Sequence, residues 1–214
     1  MENGAGRKLS QLEEAIDSLR LRIMAKEPKR SQRNDAVVVM LTSRSADEGV
    51  STVAVTLART FARKGDGRVL LVDADQMEKG LMRRAPGGRA TLIDHTDKLD
   101  PQGEIENVAA WDVDLVALAP GSEGGKSFDG VKWEEFTSAM RSRYDVIIVD
   151  AGTLKSGVPQ FWADKTSQVL LVVDTTRTTL PALERLGKEL KAADFTLSGV
   201  IMNKRDYPIP GFLY

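Results

Sequence analysis

Residues 36–63 read AVVVMLTSRSADEGVSTVAVTLARTFAR, and this stretch decides the fold. A wholly apolar run, Ala36 to Leu41, is followed by a polar loop and then by an amphipathic segment. An apolar run of that length bounded by turn formers predicts a strand buried on both faces. Val53, Leu57 and Phe61 recur every four residues, as the core stripe of a helix should. The loop between them, SRSADEGVST (43–52), has the layout of a phosphate-binding loop. In such a loop successive backbone N–H groups turn inward and the following helix offers its positive end, so an anion is held.

One residue departs from that pattern. The motif needs Gly-Lys-[Ser/Thr], because the Lys ammonium reaches the β- and γ-phosphates while the hydroxyl holds magnesium. Here the order is Gly49-Val50-Ser51-Thr52, and Arg44 stands where an earlier glycine is usual. Val50 brings neither charge nor donor, and is expected to place a branched apolar group where phosphate oxygens should lie. Spacing alone favours a bland strand-to-helix loop over a nucleotide site, so the neighbouring motifs decide.

A chain of 214 residues is long enough for one substantial core. Its charges nearly cancel, to a formal −1, so no global field favours nucleic acid or an anionic membrane. The absence of cysteine excludes disulfides, thiolate catalysis and cysteine metal sites. No apolar run approaches the roughly 20 residues of a membrane span and the N-terminus is polar, so a cytoplasmic protein is expected.

Outward from the loop, residues 1–8 are expected to be disordered. Leu9, Leu12, Ile16, Leu19 and Ile23 then form the narrow seam of a helix. That seam suits packing on its own domain as well as facing a partner. Residues 26–35, KEPKRSQRND, read as a charged linker. Buried strands are predicted at Arg68 to Asp75, Val113 to Ala119, Tyr144 to Asp150, Gln168 to Asp174 and Leu197 to Met202. Helices are predicted at Lys132 to Arg143 and about 180–193, the latter with Pro181 in its first turn. Residues 76–112 are expected to be irregular, with one or two short helices. The domain plan is an N-terminal helix and linker over 1–35, a nucleotide-binding-like domain over 36–204, and a tail over 205–214.

Apolar strands alternating with amphipathic helices predict an α/β fold, a mostly parallel sheet covered on both faces. Ligands in such sheets sit beyond the carboxyl ends of the strands. The loop, Asp73 and Asp75, Asp150 and Asn203 all fall at those ends, and two strands ending in Asp suit a magnesium nucleotide site. The competing reading of each Asp is a helix cap. His95, the single histidine, reads as a loop residue; Trp111, Trp133 and Trp162 read as packing, and Tyr144 as structural.

With these residues in view, the chain resembles the cytoplasmic domains of bacterial tyrosine autokinases that work in exopolysaccharide and capsule synthesis. Those belong to the wider P-loop group of MinD- and ParA-like ATPases. SRSADEGVST resembles their Walker A loop, VLLVDAD (69–75) the A′ motif, and DVIIVDAG (145–152) the Walker B strand. EAIDSLRLRI (14–23) is similar to the N-terminal helix, and LVALAPG (115–121) and SGVIMNK (198–204) to the intervening and final strands. The resemblance implies ATP or ADP with Mg as ligands. Glu48, Gly49, Ser51, Thr52 and Asn203 would then contact nucleotide, and Ser51, Asp73 and Asp150 the metal. Asp73, Asp75 and Asp150 are the catalytic candidates, and Tyr207 and Tyr214 the phosphoacceptor candidates.

The departures from the family pattern lie in separate working parts. Val50 takes the Walker A lysine position. The ring-assembly pattern E-x2-R-x2-R reads Glu14, Asp17, Arg20, so oligomerisation is expected to be weak. Ala151-Gly152 replaces a proline pair, and the tyrosine cluster is thinned to Tyr207 and Tyr214. Losing one preorganised charge-stabilising donor costs about 3–4 kcal/mol of transition-state stabilisation. Lys79, Lys126 and Lys155 are conceivable substitutes without support from spacing. The leading reading is a pseudokinase-like regulatory protein whose partner is the cytoplasmic part of an inner-membrane polysaccharide co-polymerase. The alternatives are an active autokinase with a divergent P-loop and a ParA- or MinD-like positioning ATPase. The tail, NKRDYPIPGFLY, reads as a docking segment rather than a phosphorylation switch.

Overall fold

The computed structural model describes residues 4–26, 36–74, 81, 92–93, 105–118 and 130–204. Its frame is a mostly parallel sheet. The strands are β1 (Val37–Ser43), β2 (Val69–Asp73), β3 (Leu92–Ile93), β4 (Glu106–Val108), β5 (Val113–Leu118), β6 (Val146–Thr153), β7 (Gln168–Asp174) and β8 (Gly199–Asn203). They lie in the order β3-β5-β2-β6-β1-β7-β8, with β4 antiparallel on β5. The helices are α1 (Gly4–Lys26), α2 (Val50–Arg63), α3 (Gly130–Arg143), α4 (Val158–Trp162) and α5 (Leu180–Ala192).

The uninterrupted apolar strands are explained by two cores, because alternate residues of one strand feed opposite faces. On β1, Val38 and Met40 enter a core shared with Met140, Trp162, Leu186 and Leu190, on the side of α3, α4 and α5. Val37, Val39 and Leu41 enter the other core, with Ile16, Ile23, Leu57 and Phe61 from α1 and α2. Trp111 and Trp162 are buried, as packing residues should be. His95 and the side chain of Trp133 lie outside the described residues.

Helix α1 packs on its own domain. Ile16 and Ile23 of its seam are buried and Leu19 packs against the same core. Its last turn is held by the side chain of buried Gln168, which donates to the Ile23 carbonyl at 3.0 Å. Charges fasten its outer side: Arg20 reaches Asp17 at 2.7 Å and Asp66 at 2.8 Å, and Lys64 reaches Asp17 at 2.9 Å.

Several expectations need correction. Helix α1 begins at Gly4, not Leu9, since Ala5, Arg7 and Lys8 are good helix formers and no proline interrupts them. Within 76–112 the described pieces include buried Leu81, in a 3-10 turn, the strands β3 and β4, too short to leave a periodic signature, and the turn that joins β4 to β5. Strand β6 begins at Val146 rather than Tyr144 and runs on to Thr153. The segment after it, unassigned from sequence, forms two single turns around α4. Among the described residues, no helix is long and apolar enough to cross a membrane.

Candidate nucleotide site

The loop at 44–49 leaves the carboxyl end of β1 and delivers the chain into α2. β1 lies between β6 and β7, so its loop is flanked by the ends of both. Register places the carboxylates: Asp150 on β6 is paired with Leu41 of β1 and with Asp73 of β2. Asp73 and Asp150 are thus neighbours at the strand ends beside the loop, and both are buried. Asp150 also accepts from the Gly152 N–H at 3.2 Å. Asp75, Tyr207 and Tyr214 lie outside the described residues, as do Lys79 and Lys126. Lys155 is exposed on the turn after β6.

Gly49 is required where it stands. Its φ of 95° is left-handed, and a Cβ there would run into the Asn203 side-chain amide. That amide donates to the Glu48 carbonyl at 2.8 Å. Asn203, expected to contact nucleotide, is thus bonded to the loop itself. The Glu48 carboxylate is buried, accepting from the Ser45 N–H at 3.0 Å and the Asp174 N–H at 3.2 Å. Lys204 donates to the Asp47 carbonyl at 2.6 Å and to the Asp174 carboxylate at 2.9 Å. The consecutive loop residues Asp47 and Glu48 are thereby tied to the ends of β7 and β8.

Asp174 is the hub of this latch. Its other oxygen accepts from the Thr176 hydroxyl at 2.6 Å and the Thr176 N–H at 2.9 Å. The Thr176 bonds, then the Lys204 ammonium, hold its carboxyl down at about 2. Asp174 and Lys204 were not among the candidates from sequence, although Asp174 closes its strand just as Asp73 and Asp150 do.

Val50 opens α2 as a core residue. It is 6% exposed and belongs to the core that includes Leu41, Val53 and Ala54. Burial of an apolar, β-branched side chain is favourable, and the core beneath the helix start offers that environment. Ser51 is half-buried and Thr52 exposed on the first turn of α2. The residues therefore fit part of a magnesium nucleotide. The adjacent Asp73 and Asp150 carboxylates and the Ser51 hydroxyl suit a hard cation shared with phosphate oxygens. No lysine from the loop balances the phosphate charge.

At the opposite end of the sheet, Tyr144 donates to Asp114 at 2.9 Å, and burial and then that bond push its hydroxyl pKa up. Arg68 lies over the Tyr144 ring, so this cluster is a clasp between strand starts.

No protein-family model matches the chain. In sequence it is 29% identical over 175 residues to a Ralstonia solanacearum protein carrying the name tyrosine-protein kinase EpsB, covering 79% of this chain and 23% of that one. The chain spans about a quarter of the length of the curated relatives it matches, 23% and 26%. In structure it is similar to the kinase domain of Escherichia coli tyrosine kinase ETK, with a TM-score of 0.70, 19% identity, and coverage of 91% of this chain and 77% of that one. It is also similar to the Aquifex aeolicus cell division protein MinD, with a TM-score of 0.62, 22% identity, and coverage of 80% and 70%. The chain is thus similar in sequence to bacterial proteins named tyrosine-protein kinase, and it has the fold of the MinD- and ParA-like P-loop structures.

Proposed function

We propose that this chain is a catalytically degenerate, tyrosine-autokinase-like regulatory protein of bacterial exopolysaccharide or capsule synthesis and export. It acts in the cytoplasm by binding the cytoplasmic part of an inner-membrane co-polymerase, and carries ATP or ADP with Mg weakly or not at all. The observation that carries this reading is Val50, an apolar residue packed in the core at the position where phosphoryl transfer needs a mobile ammonium. Losing such a group removes roughly two to three orders of magnitude in rate. The sequence relatives supply the kinase-like part of the reading.

Self-assembly is weak in this reading. Asp17 and Arg20, which fall on the family's ring-assembly pattern, are engaged with Lys64 and Asp66 of their own chain. Light scattering should find no stable octamer at micromolar concentration.

A second reading, an active autokinase with a divergent loop, is favoured by one observation: Asp73 and Asp150 still stand side by side in register. Calorimetric titration with ATP and magnesium, joined to an autophosphorylation assay, separates the two. The regulatory reading expects no autophosphorylation and little turnover. Robust hydrolysis by the unmodified chain, abolished in Asp73→Ala, would establish the enzyme instead.

A further inference from the structure

β8 is the terminal strand of the sheet, and its outer edge has no strand beside it among the described residues. The Thr175 N–H bonds to the Asn203 carbonyl at 3.1 Å, so Asn203 directs its backbone groups toward β7. By alternation, Val200 and Met202 direct theirs to the open edge. Their side chains are 45% and 58% exposed, while Ile201 between them packs on the core. Exposed edges are ordinarily blunted by Lys, Pro or a bulge, and the β8 sequence GVIMN carries neither Lys nor Pro. Lys26 of α1 donates to the Ser198 carbonyl just before the strand, at 2.9 Å, and beyond that point the edge has no strand beside it among the described residues.

We propose that the occupant is the chain's own tail: residues 207–209 add to β8 as an antiparallel strand, with Tyr207 opposite Met202 and Ile209 opposite Val200. Three observations select it. The chain leaves β8 at Lys204, whose φ of 53° is left-handed and breaks the strand where a return begins. Residues 203–206 separate Met202 from Tyr207, a four-residue connection of a length hairpins use. The third is the parity of the prolines. In this register Tyr207 and Ile209 turn their N–H groups toward β8, while Pro208 and Pro210, which have none, fall on the new outer edge. A shift by one residue would aim both prolines at β8 and remove the ladder bonds.

Directly opposed residues share a face. Tyr207 and Ile209 therefore cover Met202 and Val200, and the outward prolines stop a further strand from adding. A tethered segment also meets the edge at an effective concentration on the order of millimolar, which no second copy reaches in dilute solution. The inference does not depend on whether phosphoryl transfer has been lost.

The test is amide hydrogen exchange of Val200 and Met202, followed by NMR in the full chain and two variants. The unmodified chain should protect both amides. Ile209→Pro puts an N–H-less residue on the inner edge and should speed their exchange by about tenfold or more. Pro208→Ala changes only the outer edge and should leave them protected. Equal exchange in the unmodified chain and in Ile209→Pro would overturn the proposal. So would protection that disappears on dilution together with a halving of the mass, since a second copy would then be the occupant.

Discussion

The two flanks of the loop have been treated differently. On the β2–β6 side, Asp73 and Asp150 remain adjacent carboxylates at strand ends, the arrangement a metal-bound phosphate needs. On the β7–β8 side, polar groups that face the same loop are spent on holding it: Asn203 on Glu48, Lys204 on Asp47, and Glu48 on the Asp174 N–H. One flank preserves chemistry and the other preserves shape. Between them Val50 packs in the core. A loop tied in this way holds its outline with no lysine in it.

The largest effect that would break this contrast is at Val50. In Val50→Lys the stem can cover the apolar core while the ammonium reaches the loop. Nucleotide affinity should rise, read by titration with ATP and magnesium, because the Asp73–Asp150 flank is already in place. The gain in turnover should remain well below the two to three orders of magnitude that one such donor typically controls. An unmodified chain binding ATP as tightly as the variant would mean that the β7–β8 flank supplies the missing charge.

Next in size is Gly49. Gly49→Ala places a side chain on left-handed backbone, about 1–2 kcal/mol, and drives it against the Asn203 amide. Chemical denaturation should find the variant destabilised by about 2 kcal/mol. Asn203→Ala in the same chain should recover the steric part, leaving the backbone cost. A cycle with no coupling between 49 and 203 would show that Asn203 does not hold the loop.

How much of this could be read from sequence follows the same division. Asp73 and Asp150 were legible because each ends an apolar run, and a parallel sheet collects strand ends at one edge. The Asp174–Lys204 pair was not, since it joins residues 30 apart through the neighbour relation of β7 and β8, which no local pattern encodes. Val50 was recognised as a departure from the motif, but not as a core residue. Its chemistry was visible in the sequence, whereas the core waiting beneath the helix start was not. Strand β4, Glu106–Val108, is a three-residue piece defined by its partner β5 rather than by its own periodicity.

A smaller effect tests the latch by pH. The Asp174 carboxyl is held at about 2, below its ordinary 3.8, by Thr176 and then Lys204. A depressed carboxylate stabilises the fold above its unfolded value and loses that contribution as pH falls through the folded one. Chemical denaturation should therefore find the gap between the unmodified chain and Asp174→Asn constant from neutral pH down to about pH 5, then closing toward about pH 2. A gap independent of pH would remove Asp174 from the latch.

The smallest expected effect is at the tail's hydroxyls. The resemblance read from the sequence makes Tyr207 and Tyr214 phosphoacceptor candidates, as a run of tyrosines on a tail would be. Such a run works because many hydroxyls raise the chance that one reaches a site, and because added phosphates accumulate charge that alters assembly. Tyr207 and Tyr214 are separated by a stretch holding Pro208 and Pro210, and supply little of either. What the segment offers instead is apolar surface, in Ile209, Phe212, Leu213 and the two rings. Changing Tyr207 and Tyr214 together to Phe keeps every ring and removes both hydroxyls. If the proposed function holds, co-polymerase binding and polysaccharide output should therefore stay at the unmodified level, whereas deletion of 207–214 should impair them. A double Phe variant as defective as the deletion would mean that the hydroxyls carry the signal. The preserved Asp73–Asp150 flank would then have to be read as working chemistry.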